Sequence, residues 1–251
     1  MTISIDDLEH AAAPGWRALQ EDVLGEWLLR AANGYTGRAN SALAAGNPGR
    51  PLSAAIAAVR SWYAARGLPA MIAVPYPTER PGDSALDGQL AELCWTVRAD
   101  PATVMTAESA SVAGRAGREE VRLAIEPEPD TAWLARYHYR GQDLPPVAVQ
   151  LLMSAPWQAF ASVRADGDTI AIGRVAGSGE WAGLTAIEVA TDYRRQGLGR
   201  AVTIALAACA AARGAARLYL QVTDDNDSAR ALYRQLGFGD HHGYHYRVAP
   251  G

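Results

Sequence analysis

An apolar run from Leu184 to Val189 leads, four residues on, into Arg194-Arg195-Gln196-Gly197-Leu198-Gly199-Arg200. An alanine-rich segment from Ala201 to Arg213 follows, closed by Gly214. This order leaves the chain little choice. The apolar run reads as a buried strand, and the alanine-rich segment as a helix with a glycine stop. Between them the two glycines permit positive φ and close approach to the main chain. The first N–H groups of the helix have no partner within it, and the helix dipole favours negative charge there. The loop therefore reads either as a plain turn joining strand to helix or as a cradle for an anion such as a phosphate.

The residues that follow narrow the choice. Leu218 to Val222 reads as another strand, and Asp224-Asp225-Asn226-Asp227 is a helix-start signal. The helix after it runs out at Leu236-Gly237-Phe238. On these residues the chain resembles the GNAT N-acetyltransferase superfamily. The cofactor-loop pattern Gln/Arg-x-x-Gly-x-Gly/Ala is met by Arg194, Gly197 and Gly199. The pattern Asn-x-x-Ala-x-x-x-Tyr-x-x-x-Gly-Phe is met by Asn226, Ala229, Tyr233, Gly237 and Phe238, in the family's order and spacing. The resemblance spans Val121 to Val248.

With 251 residues, the chain has room for one large domain or two small ones. A second pattern favours two. Ala64-Ala65-Arg66-Gly67 recurs as Ala211-Ala212-Arg213-Gly214, each time after an alanine-rich helix and before a strand. This reads as a duplicated domain rather than a solenoid. The hairpin signal at Asn33-Gly34, between strands expected over 27–32 and 36–43, matches the one at Gly177 to Gly179. In the first half the phosphate loop is replaced by Asn47-Pro48-Gly49-Arg50-Pro51-Leu52, whose prolines lack N–H donors. Leu90 stands there where the second half has Tyr233. The first half thus reads as degenerate, and the likeness extends, more loosely, to tandem-GNAT proteins of actinobacterial type, whose first half carries a strand like Thr36 to Ser41. The expected organisation is a degenerate GNAT-like domain over 1–105, a linker over 106–118 rich in Ala, Ser and Gly, and a catalytic GNAT domain over 119–251. The fold class implied is α/β, with two halves, each a mixed, mostly antiparallel sheet flanked by helices.

A net charge of −4 argues against broad binding of nucleic acid through its phosphates. No run approaches a membrane span, and the acidic N-terminus has no apolar signal region, so a cytoplasmic protein is expected. Cys94 and Cys209 sit in apolar surroundings and are expected to be buried thiols.

The resemblance also implies roles. The backbone of Ile187 and Val189 would pair with the pantetheine arm of acetyl-CoA. The loop Arg194, Arg195, Gln196, Gly197, Leu198, Gly199 and Arg200 would take the pyrophosphate. Asn226 would contact the pantetheine, although its residue type equally suits a helix cap. Tyr233 matches the family's general acid, but it also lies on the apolar face of its helix with Ala229, Leu232 and Leu236. Glu188 is the carboxylate of the strand before the loop and a candidate base. Strict alternation would turn it away from Ile187 and Val189 unless a bulge shifts the register. His241 and His245 share a strand face that His242 does not; with no thiolate or carboxylate to complete a set, no metal site is expected. Trp157, Trp181, Tyr139 and the Tyr244-His245-Tyr246 run are candidates for an acceptor wall or for core. The activity implied is acetyl-CoA-dependent N-acetyltransfer to an amine acceptor. The rival reading is a non-catalytic acyl-CoA-binding sensor or scaffold.

Overall fold

A computed structural model describes residues 3–79, 84–116, 122–138 and 144–251. The first half contains α1 (Ile5–Ala12), β1 (Gln20–Leu24), β2 (Trp27–Ala31), β3 (Ala42–Leu43), α2 (Leu52–Ala64), β4 (Met71–Tyr76), α3 (Ala85–Glu92), β5 (Thr96–Val97) and β6 (Ala102–Glu108). After α4 (Ser109–Ala113) come β7 (Leu123–Glu126), α5 (Thr131–Arg136), α6 (Val147–Leu152), β8 (Trp157–Ala165), β9 (Asp168–Ser178) and β10 (Trp181–Val189). The chain closes with α7 (Leu198–Ala212), β11 (Arg217–Thr223), α8 (Asp227–Leu236) and β12 (Gly239–Val248).

All the strands join one sheet in the order β1-β2-β3-β4-β12-β6-β11-β10-β9-β8-β7, with β5 beside β12. Only β3–β4 and β10–β11 are parallel among the described residues. Alternation assigns the two faces. In β4, Ile72 and Val74 pack with Ile56, Val59 and Tyr63 of α2, while Met71 and Ala73 join a cluster on the opposite side. The 3–4 spacing of Ile56, Val59 and Tyr63 is the apolar stripe that holds α2 down, each side chain contributing about 2 kcal/mol by burial. In the second half α7 lies on β8, β9 and β10. Its small residues bring it close: a Cβ on Gly173 of β9 would meet Val202 Cγ1 at 2.6 Å and Leu206 Cδ1 at 2.8 Å. On the other face Phe160 and Ile172 pack with Trp133 of α5 and Leu151 of α6.

The halves are interleaved. β6, the closing strand of the first half, lies between β11 and β12 of the second, pairing Thr223 with Ala102 and Arg217 with Glu108. β12, the closing strand of the second half, lies against β4 and β5 of the first. The stretch expected as a linker is therefore structured as far as Ala116. Thr106 to Glu108 are ladder residues, and Ser109–Ala113 is a helix with Ser109 and Val112 fully buried. Its Ala, Ser and Gly content reads as coil because small residues carry little hydrophobic signal; here they permit close packing against α7. Residues 117–121 lie outside the described residues.

Two other expectations are corrected. The hairpin of the first half is β1–β2, turning between Leu24 and Trp27, not at Asn33-Gly34. Only Ala42–Leu43 of the strand expected over 36–43 is extended in a ladder. The cause is Asn40, whose Oδ1 accepts from the N–H groups of Ala32 (2.8 Å) and Gly34 (2.9 Å), while Nδ2 donates to the carbonyls of Tyr35 and Thr36. One side chain satisfies the backbone a strand would have used. Cys94 is exposed and Cys209 half-buried rather than buried. Cys94 has φ +59 in the turn after α3, so its side chain leaves the apolar face that the neighbouring residues share.

Candidate active site

β10 pairs with β11 in parallel as far as Leu184 opposite Leu220. Beyond that point β10 carries a bulge: Thr185 faces Arg174, but Glu188 faces Ile172, and Ala186 between them has φ +55. Bulges bend the strand that carries them. Here β11 stays paired with β6 to its end while β10 swings towards β9, and a cleft of about 410 Å³ opens between them. The bulge also resolves the facing of Glu188, which lines this cleft together with Ile187.

Glu188 Oε1 accepts a hydrogen bond from the His138 N–H at 3.1 Å. Burial pushes its carboxyl above the usual range, against the opposing pull of that bond and of the Arg136 and Arg194 charges. Tyr233, on α8, lines the same cleft and is buried against Phe238, the ring centroids 5.8 Å apart. Burial pushes its phenol up to about 12, so it stays protonated well beyond neutral pH. Asn226 caps α8, its Oδ1 accepting from the Ala229 N–H at 3.2 Å, and also borders the cleft. The cap is thus observed, and it leaves the residue beside the cavity.

The loop leaves the end of β10 through a short 3₁₀ turn, Thr191–Tyr193. Arg194 Nε donates to the Val189 carbonyl at 3.2 Å, Gln196 Nε2 to the Asp192 carbonyl at 3.4 Å, and Arg200 Nε to the Ala116 carbonyl at 3.2 Å. Arg195 and Gly197 have φ of +63 and +80. Gly197 is the N-cap of α7, and the first helical bond runs from Ala201 N–H to its carbonyl. The N–H groups of Leu198, Gly199 and Arg200 therefore stand ahead of the helical ladder. Gly199 has room: an added Cβ meets only Leu232 at 3.4 Å and Val189 at 3.8 Å. Val189 and the loop are contiguous with the cleft through β10 but do not line it.

In the first half, the corresponding loop is closed by its own acid. The Asn47 N–H donates to the Glu26 carboxylate, and Asp6 also borders this shallow hollow. The N-cap of α2 is Pro51, which has no N–H to offer.

His241 Nδ1 lies 2.8 Å from His242 Nδ1. His242 Nε2 lies 2.8 Å from Glu9 Oε1, and His245 Nε2 lies 2.6 Å from Asp87 Oδ1. No group of three or more potential metal ligands occurs among the described residues. Tyr244 and Tyr246 do line the cleft. Trp157 and Trp181 do not: Trp157 packs over Gly177, and Trp181 sits in a core cluster with Leu8 and Tyr219. Tyr139 lies outside the described residues. Sequence reasoning missed Trp16, Arg38 and Gln221, which also line the cleft. The signal available for Arg38 was a charge amid Gly37, Ala39, Ala42 and Leu43.

The fold and the loop define the class: a tandem GNAT acetyltransferase. Among solved structures, the chain superposes on a GCN5-related N-acetyltransferase from Kribbella flavida with a TM-score of 0.73 at 20% identity, covering 100% of this chain and 97% of that one. It also superposes on a tandem GNAT protein from the clavulanic acid biosynthesis pathway with a TM-score of 0.67 at 15% identity, covering 90% and 79%. At such identities these likenesses speak to the fold alone. The chain belongs to the family described as "Probable histone acetyltransferase Rv0428c C-terminal", whose model matches residues 2–247. It is 31% identical to "Probable histone acetyltransferase Rv0428c" of Mycobacterium tuberculosis over 99% of this chain and 74% of that protein. It is 28% identical to "Uncharacterized N-acetyltransferase YobR" of Bacillus subtilis over 97% and 98%. The protein is accordingly an acetyltransferase, which sets aside the sensor or scaffold reading. No helix among the described residues is long and apolar enough to cross a membrane.

Proposed function

We propose that the protein transfers acetyl from acetyl-CoA directly to a primary amine. The observation that carries this reading is the opening of β10 from β11, which brings Glu188, Tyr233 and Asn226 to one cavity. Beyond it lies the α7 N-terminus with its unpaired N–H groups. The chemistry needs a held thioester, a neutral amine and a proton for the departing thiolate. The β10 edge that has left β11 supplies backbone at Ile187 and Val189 for the pantetheine amides. The loop from Arg194 to Arg200 supplies donors and positive charge for the pyrophosphate.

In the transfer, the amine nitrogen attacks the acetyl carbon, and the C–S bond breaks. Glu188 takes the proton the amine loses, directly or through water, and Tyr233 donates one to the sulfur. A phenol as weakly acidic as this one gives up its proton only in step with thiolate departure, because a free thiolate is the weaker base. The first half contributes a wall of the cleft through Trp16, Arg38 and Asp100.

The test is release of free thiol from acetyl-CoA in the presence of an amine panel, with mass analysis of the acetylated product. A rate no faster than the enzyme-free rate for every amine, at saturating acetyl-CoA, overturns the reading.

A further inference from the structure

One wall of the cleft carries the half-buried guanidinium of Arg38, with the buried Arg30 and Arg174 behind it. Arg38, on the 3₁₀ turn Arg38–Asn40, lines both the main cavity and a narrow recess beneath it, whose walls include Arg30, Glu9 and Tyr219. Its Nη2 donates to Gln221 Oε1, which also accepts from the Tyr244 hydroxyl at 3.0 Å. The guanidinium is therefore held in one orientation. Its Nε is buried and has no hydrogen-bond partner.

The charge around it is unbalanced. Arg30 is buried and donates to neutral oxygens of Ser41, through Nε at 3.2 Å and Nη2 at 3.3 Å. Arg174 is fully buried behind Trp16 and likewise bonded to neutral oxygens, those of Leu152, Gly15 and Thr185. The Trp16 ring centroid lies 5.2 Å from the Arg174 guanidinium and 5.9 Å from that of Arg38. Burial, with the Arg38 charge acting in the same direction, lowers the Arg174 pKa to about 10. The buried carboxylate whose field reaches both Arg30 and Arg38 is Glu9, already bonded to His242. Arg30 and Arg38 thus share a committed carboxylate, and the bonds of Arg174 run to neutral oxygens, whereas buried cations without counter-charge are costly. An anion entering the cleft would meet this surplus and the unmet Nε–H.

The carboxylates that line the main cavity, Glu188 and Asp100, come from β10 and from the bend before β6, whereas Arg38 is fixed to β11. The cavity thus offers negative charge for an ammonium and positive charge for an acid group. We propose that the acceptor is a free amino acid, its carboxylate bound by Arg38 and its amine presented to Glu188. This rests on the reading of the cleft as an acetyl-transfer site. An aromatic or branched side chain would pack against the ring edges of Trp16, Tyr244 and Tyr246.

The experiment compares matched acceptors: phenylalanine with 2-phenylethylamine, tyrosine with tyramine, and leucine with 3-methylbutylamine. The expected kcat/KM for the amino acid exceeds that of its decarboxylated partner by about 100-fold or more, as when a site built for a polar group meets a substrate lacking it. Arg38→Gln is expected to remove most of that ratio while leaving the KM for acetyl-CoA unchanged, and Arg38→Lys to restore only part of it. 3-Phenylpropionate, which carries the acid but no amine, should compete with the amino acid and not with acetyl-CoA.

Equal rates for both members of each pair overturn the proposal, and so does an Arg38→Gln enzyme that slows both members equally. If that variant does not fold, the wild-type ratios and the 3-phenylpropionate inhibition decide alone. Turnover of the decarboxylated amines only would refute the carboxylate site and leave acetyl transfer standing. Absence of turnover with every amine would refute both.

Discussion

Tyr233 and Glu188 are each more buried than a side chain that only borders solvent, and burial moves both phenol and carboxyl upwards. The same shift has different consequences. For Tyr233 it secures the protonated form, so Tyr233→Phe removes a donor that is present at every working pH while leaving the ring packed on Phe238. A loss in kcat of about 10- to 1,000-fold is expected, with the KM for acetyl-CoA nearly unchanged. Wild-type kcat in steady-state assays would make Tyr233 a core residue only. For Glu188 the raised value means the ionised base is depleted at a higher pH than for an ordinary carboxyl. The rate should therefore climb as pH rises through that raised value. In Glu188→Gln the ascending limb of the kcat/KM profile should be absent. A variant profile of unaltered shape would place the base elsewhere.

The loop that caps α7 separates two glycines by function. Gly197 has φ +80, a conformation that costs a residue with a Cβ about 1 kcal/mol. Gly199 is inside the first helical turn with ordinary space around its Cα. Replacing it with Ala should add about 1 kcal/mol to helix stability. Gly197→Ala should therefore lower the melting temperature and Gly199→Ala raise it. If the pyrophosphate rests on this turn, both should weaken acetyl-CoA binding in calorimetry, so Gly199→Ala would be the more stable protein and the poorer binder. Undiminished affinity in Gly199→Ala would remove the loop from the cofactor site. The first-half turn offers the contrast. There the Asn47 N–H is taken by Glu26 and Pro51 has no N–H to offer, and titration should give one acetyl-CoA per chain. A stoichiometry of two would show that the first half retains a site.

At the scale of the molecule, the interleaved strands decide stability. β6 completes the second half's part of the sheet and β12 the first's, so neither half is expected to survive removal of the other. A chain beginning at Gly114 would expose the β11 edge along its whole length and leave β12 without a partner. It is expected to be unfolded by circular dichroism, although sequence alone favours a separable catalytic domain. For the same reason the full chain should melt in one transition, with far-ultraviolet and tryptophan-fluorescence curves coincident. Trp27 and Trp95 report on the first half and Trp133 on the second. Two resolved transitions would show that the halves unfold independently.

The sequence by itself determined the strand–loop–helix unit at 184–213, the capped helix carrying Tyr233, the two-half plan and the prolines of the first-half loop. Each of these rests on local chemistry: glycine and proline backbone limits, a capping side chain, apolar spacing within a few residues. Tertiary structure decided the rest. The facing of Glu188 depended on a bulge at Ala186, which no period-two pattern announces. The role of 106–113 depended on strands remote in sequence, because a small-residue segment takes its conformation from what it packs against. Arg38 entered the cleft only because Asn40 ties off its loop and Gln221, distant along the chain, anchors its guanidinium. Local patterns specify which elements form; the contacts between distant elements specify which side chains share a cavity.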